Sequence, residues 1–170
     1  MWLVIGGGTL FAGFPEVYAT VFSAFYVPFM LFLVALIFRA ISIEFRSKEE
    51  MRWWRLTWDI SYSVSNITIA GLLGLLVGNL IQGIAIGPNF EFQGHTRDFF
   101  NPYALLTALT TIALFAMHGA IYLTMKTEKR LHTKLMLLVR DTSRFFVICF
   151  VTLTMATLIY IPEMADKFRK

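Results

Sequence analysis

Residues 17–38 read VYATVFSAFYVPFMLFLVALIF, a stretch of 22 residues without one charged side chain. At 1.5 Å per helical residue, about 20 apolar residues cross a hydrocarbon core of roughly 30 Å. This stretch therefore predicts a transmembrane helix. Four more charge-free stretches lie at 1–14, 60–90, 102–125 and 145–161. Since the first is too short to cross alone, the sequence predicts an all-α membrane protein, a polytopic helical bundle of about four full transmembrane helices plus a truncated first helix.

The composition excludes several other protein classes. Of 170 residues, 57% are hydrophobic and 15% charged, with a mean hydropathy of +0.65, which rules out a disordered segment or an ordinary soluble domain. The single cysteine, Cys149, excludes a disulfide framework and is expected to be an inert packed thiol. The formal net charge is +4, but the basic residues cluster between apolar runs. That pattern predicts the lipid membrane as a partner and no nucleic acid.

The basic clusters also predict the orientation. Five Lys and Arg residues fall in 39–59 and six in 126–144, whereas 83–101 holds Arg97 alone. Because positively charged loops stay in the cytoplasm, we predict that the loops 39–59 and 126–144 are cytoplasmic. The chain is predicted to be one transmembrane domain, 1–170, beginning at a fragment boundary because the first apolar segment lacks the features of a secretory signal.

Motifs of soluble catalytic sites are absent, so we predict no catalytic residue and no metal site in this chain. The Gly6-Gly7-Gly8 triplet and the pair Gly74 and Gly78 predict close helix packing, since small residues let transmembrane backbones approach. His118 is the one histidine within a predicted span. It is a weak candidate for haem binding, and we expect an interhelical hydrogen bond there instead.

Charged residues at the edge of the second span allow two interpretations. Arg39 follows the apolar run directly, and Glu44 and Arg46 come soon after. The simpler interpretation makes Arg39 a snorkelling interface anchor, with Glu44 and Arg46 as a solvated pair. The sharper one makes Arg39 and Glu44 the mouth of a proton path. The serines and asparagines of the third span are expected to pack against protein, because lipid would leave them unsatisfied.

Several ordered strings together resemble one family. The strings are WLVIGGGTLFAGFPEVYAT from residue 2, FSAFYVPFM from 22, RAISIEFRSK from 39, Trp54-Arg55, Trp58-Asp59, GNLIQG from 78, NPYALL from 101 and HGAIYL from 118. They are similar to subunit II of the cytochrome bd quinol oxidases over residues 2 to about 125. The resemblance implies an accessory subunit of a bacterial inner-membrane complex that oxidises quinol and reduces dioxygen to water in aerobic respiration.

The resemblance also implies partners, cofactors and site residues. This chain would bind no cofactor alone, because haems b and d belong to the haem-bearing subunit I, with which it would form a heterodimer; a small single-span subunit is a further partner. Quinol is the substrate of the complex. Trp2 matches an oxygen-route position, and Arg39 and Glu44 match proton-route positions, where Glu44 stands in place of an Asp also found in the family.

Two features keep an alternative open. Family members are longer, with eight spans in two related halves, so the resemblance implies that this chain is a fragment of a longer eight-span subunit. A small transporter or channel subunit is the alternative, suggested by the polar third span, by Pro28 and by His118. It is the weaker hypothesis, because the charges lie at the ends of the predicted spans and Pro28 alone is not expected to unwind a helix.

Overall fold

The computed structural model describes residues 1–84, 94 and 96–160, and in this part of the chain helices account for nearly all residues and no strand is present. The helices are α1 (Trp2–Gly13), α2 (Pro15–Ala24), α3 (Tyr26–Phe45), α4 (Arg52–Gln82), α5 (Pro102–Lys126) and α6 (Lys129–Tyr160), with a short 3-10 helix at Thr96–Phe100. Four helical segments are long and apolar enough to cross a membrane, namely Tyr26–Phe45, Arg52–Gln82, Pro102–Lys126 and Leu131–Tyr160. The predicted all-α membrane bundle is confirmed.

The prediction of one continuous span over 17–38 is wrong. The chain breaks at Phe25 (φ −93°, ψ 23°), so that α2 ends at Ala24 and α3 begins at Tyr26. Pro28 explains the break, because it has no backbone N–H to donate to the carbonyl of Ala24 and is tolerated only in the first turn of a helix. The side chain of Phe25 is fully buried and stacks on Phe99 with ring centroids 4.5 Å apart.

Glycines bring α4 and α5 into close contact, as predicted. A Cβ at Gly74 would lie 2.6 Å from the Cα of Ala108, and one at Gly78 would lie 2.8 Å from the Cα of Ala104. Such distances exclude any side chain there, so the two backbones pack directly on each other. By contrast, no atom lies within 4 Å of the position of a Cβ at Gly6, Gly7 or Gly8 in the described structure, so their predicted packing has no counterpart here.

Both segments predicted as loops are largely helical. Helix α3 continues to Phe45 and α4 begins at Arg52, while α6 begins at Lys129, directly after α5 ends at Lys126. The sequence-based boundaries were wrong because charged residues were taken to end a helix, whereas an amphipathic helix carries them on one face. The two basic turns lie at the same end of the bundle, since the connected helices are antiparallel.

Candidate functional site

The turn between α3 and α4 brings together most of the polar residues that the sequence singled out. Ser42 is 1% exposed, and its hydroxyl donates to the carbonyl of Phe38 at 2.5 Å and lies 3.1 Å from the hydroxyl of Ser61. This contact joins the two helices within the membrane-spanning region. It also satisfies Ser61, in agreement with the expectation that the polar start of α4 packs against protein.

An ion pair joins the same helices at the turn. Arg46 donates through Nε to Oδ1 of Asp59 at 2.5 Å and through Nη2 to Oδ2 at 3.4 Å. The hydrogen bond and the charge of Asp59 raise the pKa of Arg46 above its ordinary value. Both side chains are about half exposed, so solvent and salt screen the pair. The predicted pairing of Arg46 with Glu44 is therefore wrong, because Asp59 takes that position across the antiparallel turn.

Tryptophans close the turn. Nε1 of Trp54 donates to the carbonyl of Phe45 at 2.8 Å, which satisfies a carbonyl at the end of α3. Trp58 packs on Phe45 and Trp54, with ring centroids 5.3 and 5.7 Å away. Its Nε1 is buried and has no hydrogen-bond partner within the described residues. The indoles thus hold the end of α3 to the start of α4, at the depth where aromatic residues favour a membrane interface.

The structure places Arg39 and Glu44 on α3 but does not bring them together. Both are exposed, and neither forms an ion pair within the described part of the chain. Five residues of helix separate them, which turns their side chains about 140° apart. Glu44 lies in the last turn of α3, beside the ion pair, while Arg39 lies deeper by more than one turn. A proton route through both would need groups from outside these residues to connect them.

A groove runs along α3 and α4 just below this turn. Its volume is about 310 Å³, and its walls are mostly apolar, with hydroxyls only on the α4 side; the lining residues are Leu31, Val34, Ala35, Phe38, Ser61, Val64, Ser65 and Thr68. Neither Arg39 nor Glu44 lines it. The groove therefore adds no ionisable group to the site.

The remaining predicted site residues lie apart from this turn. The side chain of Trp2 and all of His95 fall outside the described residues. His118 is exposed on α5 and has no hydrogen-bond partner among the described residues, so the expected interhelical bond is not formed there. The described residues contain no group of three or more His, Cys, Asp or Glu that could hold a metal ion. Because His118 has no second ligand nearby in that set, the described residues do not fit a haem, and we derive no step through one.

A polar cluster at the opposite end of the bundle went largely unrecognised in the sequence. Asn79 is 5% exposed and donates to the carbonyls of Leu75 at 2.8 Å and Phe99 at 2.9 Å. It also accepts a hydrogen bond of 2.9 Å from Nδ2 of Asn101, whose Oδ1 caps α5 through the N–H of Ala104. The signal was present, because an Asn followed by a Pro is a common start of a helix. Cys149 is buried, as predicted.

Comparison with known proteins gives a consistent result. The family described as cytochrome bd terminal oxidase subunit II matches residues 1–165. Cytochrome bd-I ubiquinol oxidase subunit 2 of Escherichia coli K12 is 32% identical over 154 residues, covering 88% of this chain and 41% of the relative. Cytochrome bd ubiquinol oxidase subunit 2 of Bacillus subtilis is 34% identical over 127 residues, covering 75% and 38%. The chain thus spans about two fifths of the length of these relatives.

Proposed function

The chain belongs to the family of subunit II of the cytochrome bd terminal oxidases, and we propose that it acts as the accessory membrane subunit of a quinol oxidase complex. The observation that carries this proposal is the family match over residues 1–165. In the proposed reaction, the complex oxidises quinol and reduces dioxygen to water. The family match favours this role over a small transporter or channel subunit.

In this proposal the chain supports assembly and a haem-bearing subunit I carries out the redox chemistry. The polar contacts within the described residues join helix to helix, as at Ser42 and Ser61 or at Asn79 and Asn101. Such contacts build a rigid surface on which a partner can dock. Haems b and d would be held by the partner, which would supply the electron transfer from quinol to oxygen, and a small single-span subunit would complete the complex.

We further propose that the chain lies in the bacterial inner membrane with both basic turns in the cytoplasm. The turns after α3 and after α5 are flanked by most of the Lys and Arg residues of the chain and lie at one end of the bundle. The positive-inside rule then places that end in the cytoplasm. Glu44 and Arg46 would lie on the side from which protons are taken up.

Glu44 and Arg39 are proposed to contribute to proton uptake, and Trp2 to an oxygen route. Glu44 suits this role because its carboxylate is exposed on the last turn of α3, beside the Arg46 and Asp59 pair. Since Arg39 and Glu44 do not touch, water or groups of a partner must join them.

The substitution Glu44→Gln tests the proton route. We expect it to slow quinol-dependent oxygen consumption by the purified complex by about tenfold or more, because the amide cannot carry a proton. Glu49→Gln is the matched control, since Glu49 is an exposed carboxylate in the same turn, and it should leave the rate unchanged. Equal rates for Glu44→Gln and the wild type, with equal haem content, would contradict the proton role while leaving the assembly role intact.

A further inference from the structure

Helix α6 carries a charged face that points away from its only extensive packing partner, α5. Arg140, Arg144 and Ile148 follow each other at intervals of four residues and are all exposed. On the other side of the helix, Phe146 is half-buried and Cys149 is 5% exposed. Residues four apart share one face of a helix, so the two arginines and Ile148 form one exposed face. We call it the Arg144 face.

Two contacts fix the depth of this face in the membrane. His132 Nδ1 lies 3.2 Å from the carbonyl oxygen of Thr124, and the Tyr103 hydroxyl lies 3.0 Å from that of Thr157. Arg144 is 12 residues from His132 and 13 from Thr157, and the same steps along antiparallel α5 end at Ile112 and Ala116. Arg144 is therefore level with the middle of α5, which runs from Pro102 to Lys126.

An arginine at this depth lies far from the membrane surface. Helix α5 has 25 residues, or about 37 Å at 1.5 Å per residue, which exceeds a hydrocarbon core of about 30 Å. Its middle is then about 15 Å from either boundary of that core. A guanidinium facing lipid there is costly, and charged residues at such depths face protein or a water-filled cavity.

The chain itself leaves this charge uncompensated. Nε of Arg140 lies 3.7 Å from Oδ1 of Asp141, with both side chains more than half exposed. Arg144 forms no ion pair within the described residues. The spans of α4 beyond Asp59 and of α5 hold no carboxylate. The Arg144 face thus has an excess positive charge at mid-membrane depth.

We propose that the Arg144 face packs against a transmembrane helix of another subunit, which places a carboxylate opposite Arg144. Charge complementarity identifies the partner chemistry, because a buried guanidinium is best satisfied by a carboxylate that accepts two hydrogen bonds. A lipid phosphate fits less well, since phosphates lie at the boundary and Arg144 is level with the middle of α5. This inference rests on the proposed function only in assigning that helix to a subunit of the oxidase complex.

A photo-crosslinker at Ile148 tests the proposal with both arginines intact. Ile148 is 66% exposed and lies one turn from Arg144 on the same face. In native membranes, we expect a benzophenone side chain there to form adducts with a transmembrane segment of another subunit that contains Asp or Glu. Adducts with lipid alone, with a second copy of this chain, or with a helix lacking a carboxylate would overturn the proposal.

A charge reversal supplies the second arm. Arg144→Glu should lower recovery of the partner subunit with the tagged chain by about thirtyfold or more, as expected for breaking a buried charge pair. Changing the crosslinked carboxylate to Lys should restore that recovery. Lys134→Glu is the matched control, because Lys134 is exposed on α6 close to the turn, and it should stay within about twofold of the wild type. Equal losses for the two reversals, or no rescue, would overturn the proposal.

The two proposals fail in different ways. If the wild-type complex contains no haem, the proposed function fails, yet the adducts at Ile148 still report what covers the Arg144 face. If haem is present and the adducts are with lipid alone, the interface proposal fails while the proposed function stands.

Discussion

Asn79 shows how one side chain organises an end of the bundle. Its amide makes three hydrogen bonds, to the carbonyls of Leu75 and Phe99 and from Nδ2 of Asn101. These bonds tie α4 to the short 3-10 helix and to the start of α5. A buried amide with its polar groups satisfied favours one arrangement of these elements over others.

Replacing Asn79 with Leu keeps a similar volume but removes all three bonds. We expect the unfolding free energy to fall by about 1–3 kcal/mol, because the carbonyl of Phe99 and an N–H of Asn101 lose a buried partner. Thermal unfolding of the purified protein in a mild detergent measures this loss. Gln82→Leu is the control, since Gln82 is exposed one turn along the same helix. An Asn79→Leu protein that melts no lower than the control would contradict this account.

At the same scale, the sequence predicted residue types better than residue partners. That Ser61 and Asn79 need protein contacts followed from the cost of an unsatisfied polar group in lipid. Their partners, Ser42 and Asn101, depend on which residues meet across a turn. The pairing of Arg46 with Asp59 rather than Glu44 has the same origin, because it depends on the exact ends of α3 and α4.

At the scale of elements, the contact between α4 and α5 depends on glycine. Gly74 and Gly78 let the two helices approach until their backbones touch Ala108 and Ala104. In lipid, such packing replaces the hydrophobic driving force that associates helices in water. The pair is four residues apart, so both glycines lie on the face of α4 that meets α5.

Gly74→Ala tests this contact with a single methyl group. The added Cβ would lie 2.6 Å from the Cα of Ala108, so α4 and α5 must separate, and we expect a loss of about 1–3 kcal/mol in unfolding free energy. Gly71→Ala is the matched control on the same helix, because its Cβ would meet only Ile112 Cδ1 at 3.6 Å. Thermal unfolding in detergent compares the two. The packing account fails if both variants melt at the same temperature.

The ends of elements were harder to predict than their existence. Four long apolar stretches sufficed to predict four spans, since the hydrocarbon thickness sets their length. The break at Phe25 and the extension of α6 back to Lys129 were missed. Hydropathy does not register a missing N–H at Pro28, and it treats a charged helical face as a loop.

At the scale of the whole molecule, the chain presents broad apolar and charged surfaces that it does not itself cover. Exposed large hydrophobic residues occur on every long helix, among them Leu33, Ile67, Leu105 and Ile148. Lipid satisfies the apolar ones. The Arg144 face and the exposed Arg39 call for protein or water instead, which agrees with a subunit that works only within a complex.

The central claim is that this chain is an accessory subunit of a haem-containing quinol oxidase, and one spectrum tests it most directly. The chain is tagged at its native locus, membranes are solubilised gently, and a reduced-minus-oxidised absorption spectrum is recorded on the purified material. We expect bands of haems b and d together with quinol-dependent oxygen consumption. Well-expressed, membrane-embedded protein that purifies without haem would contradict the claim.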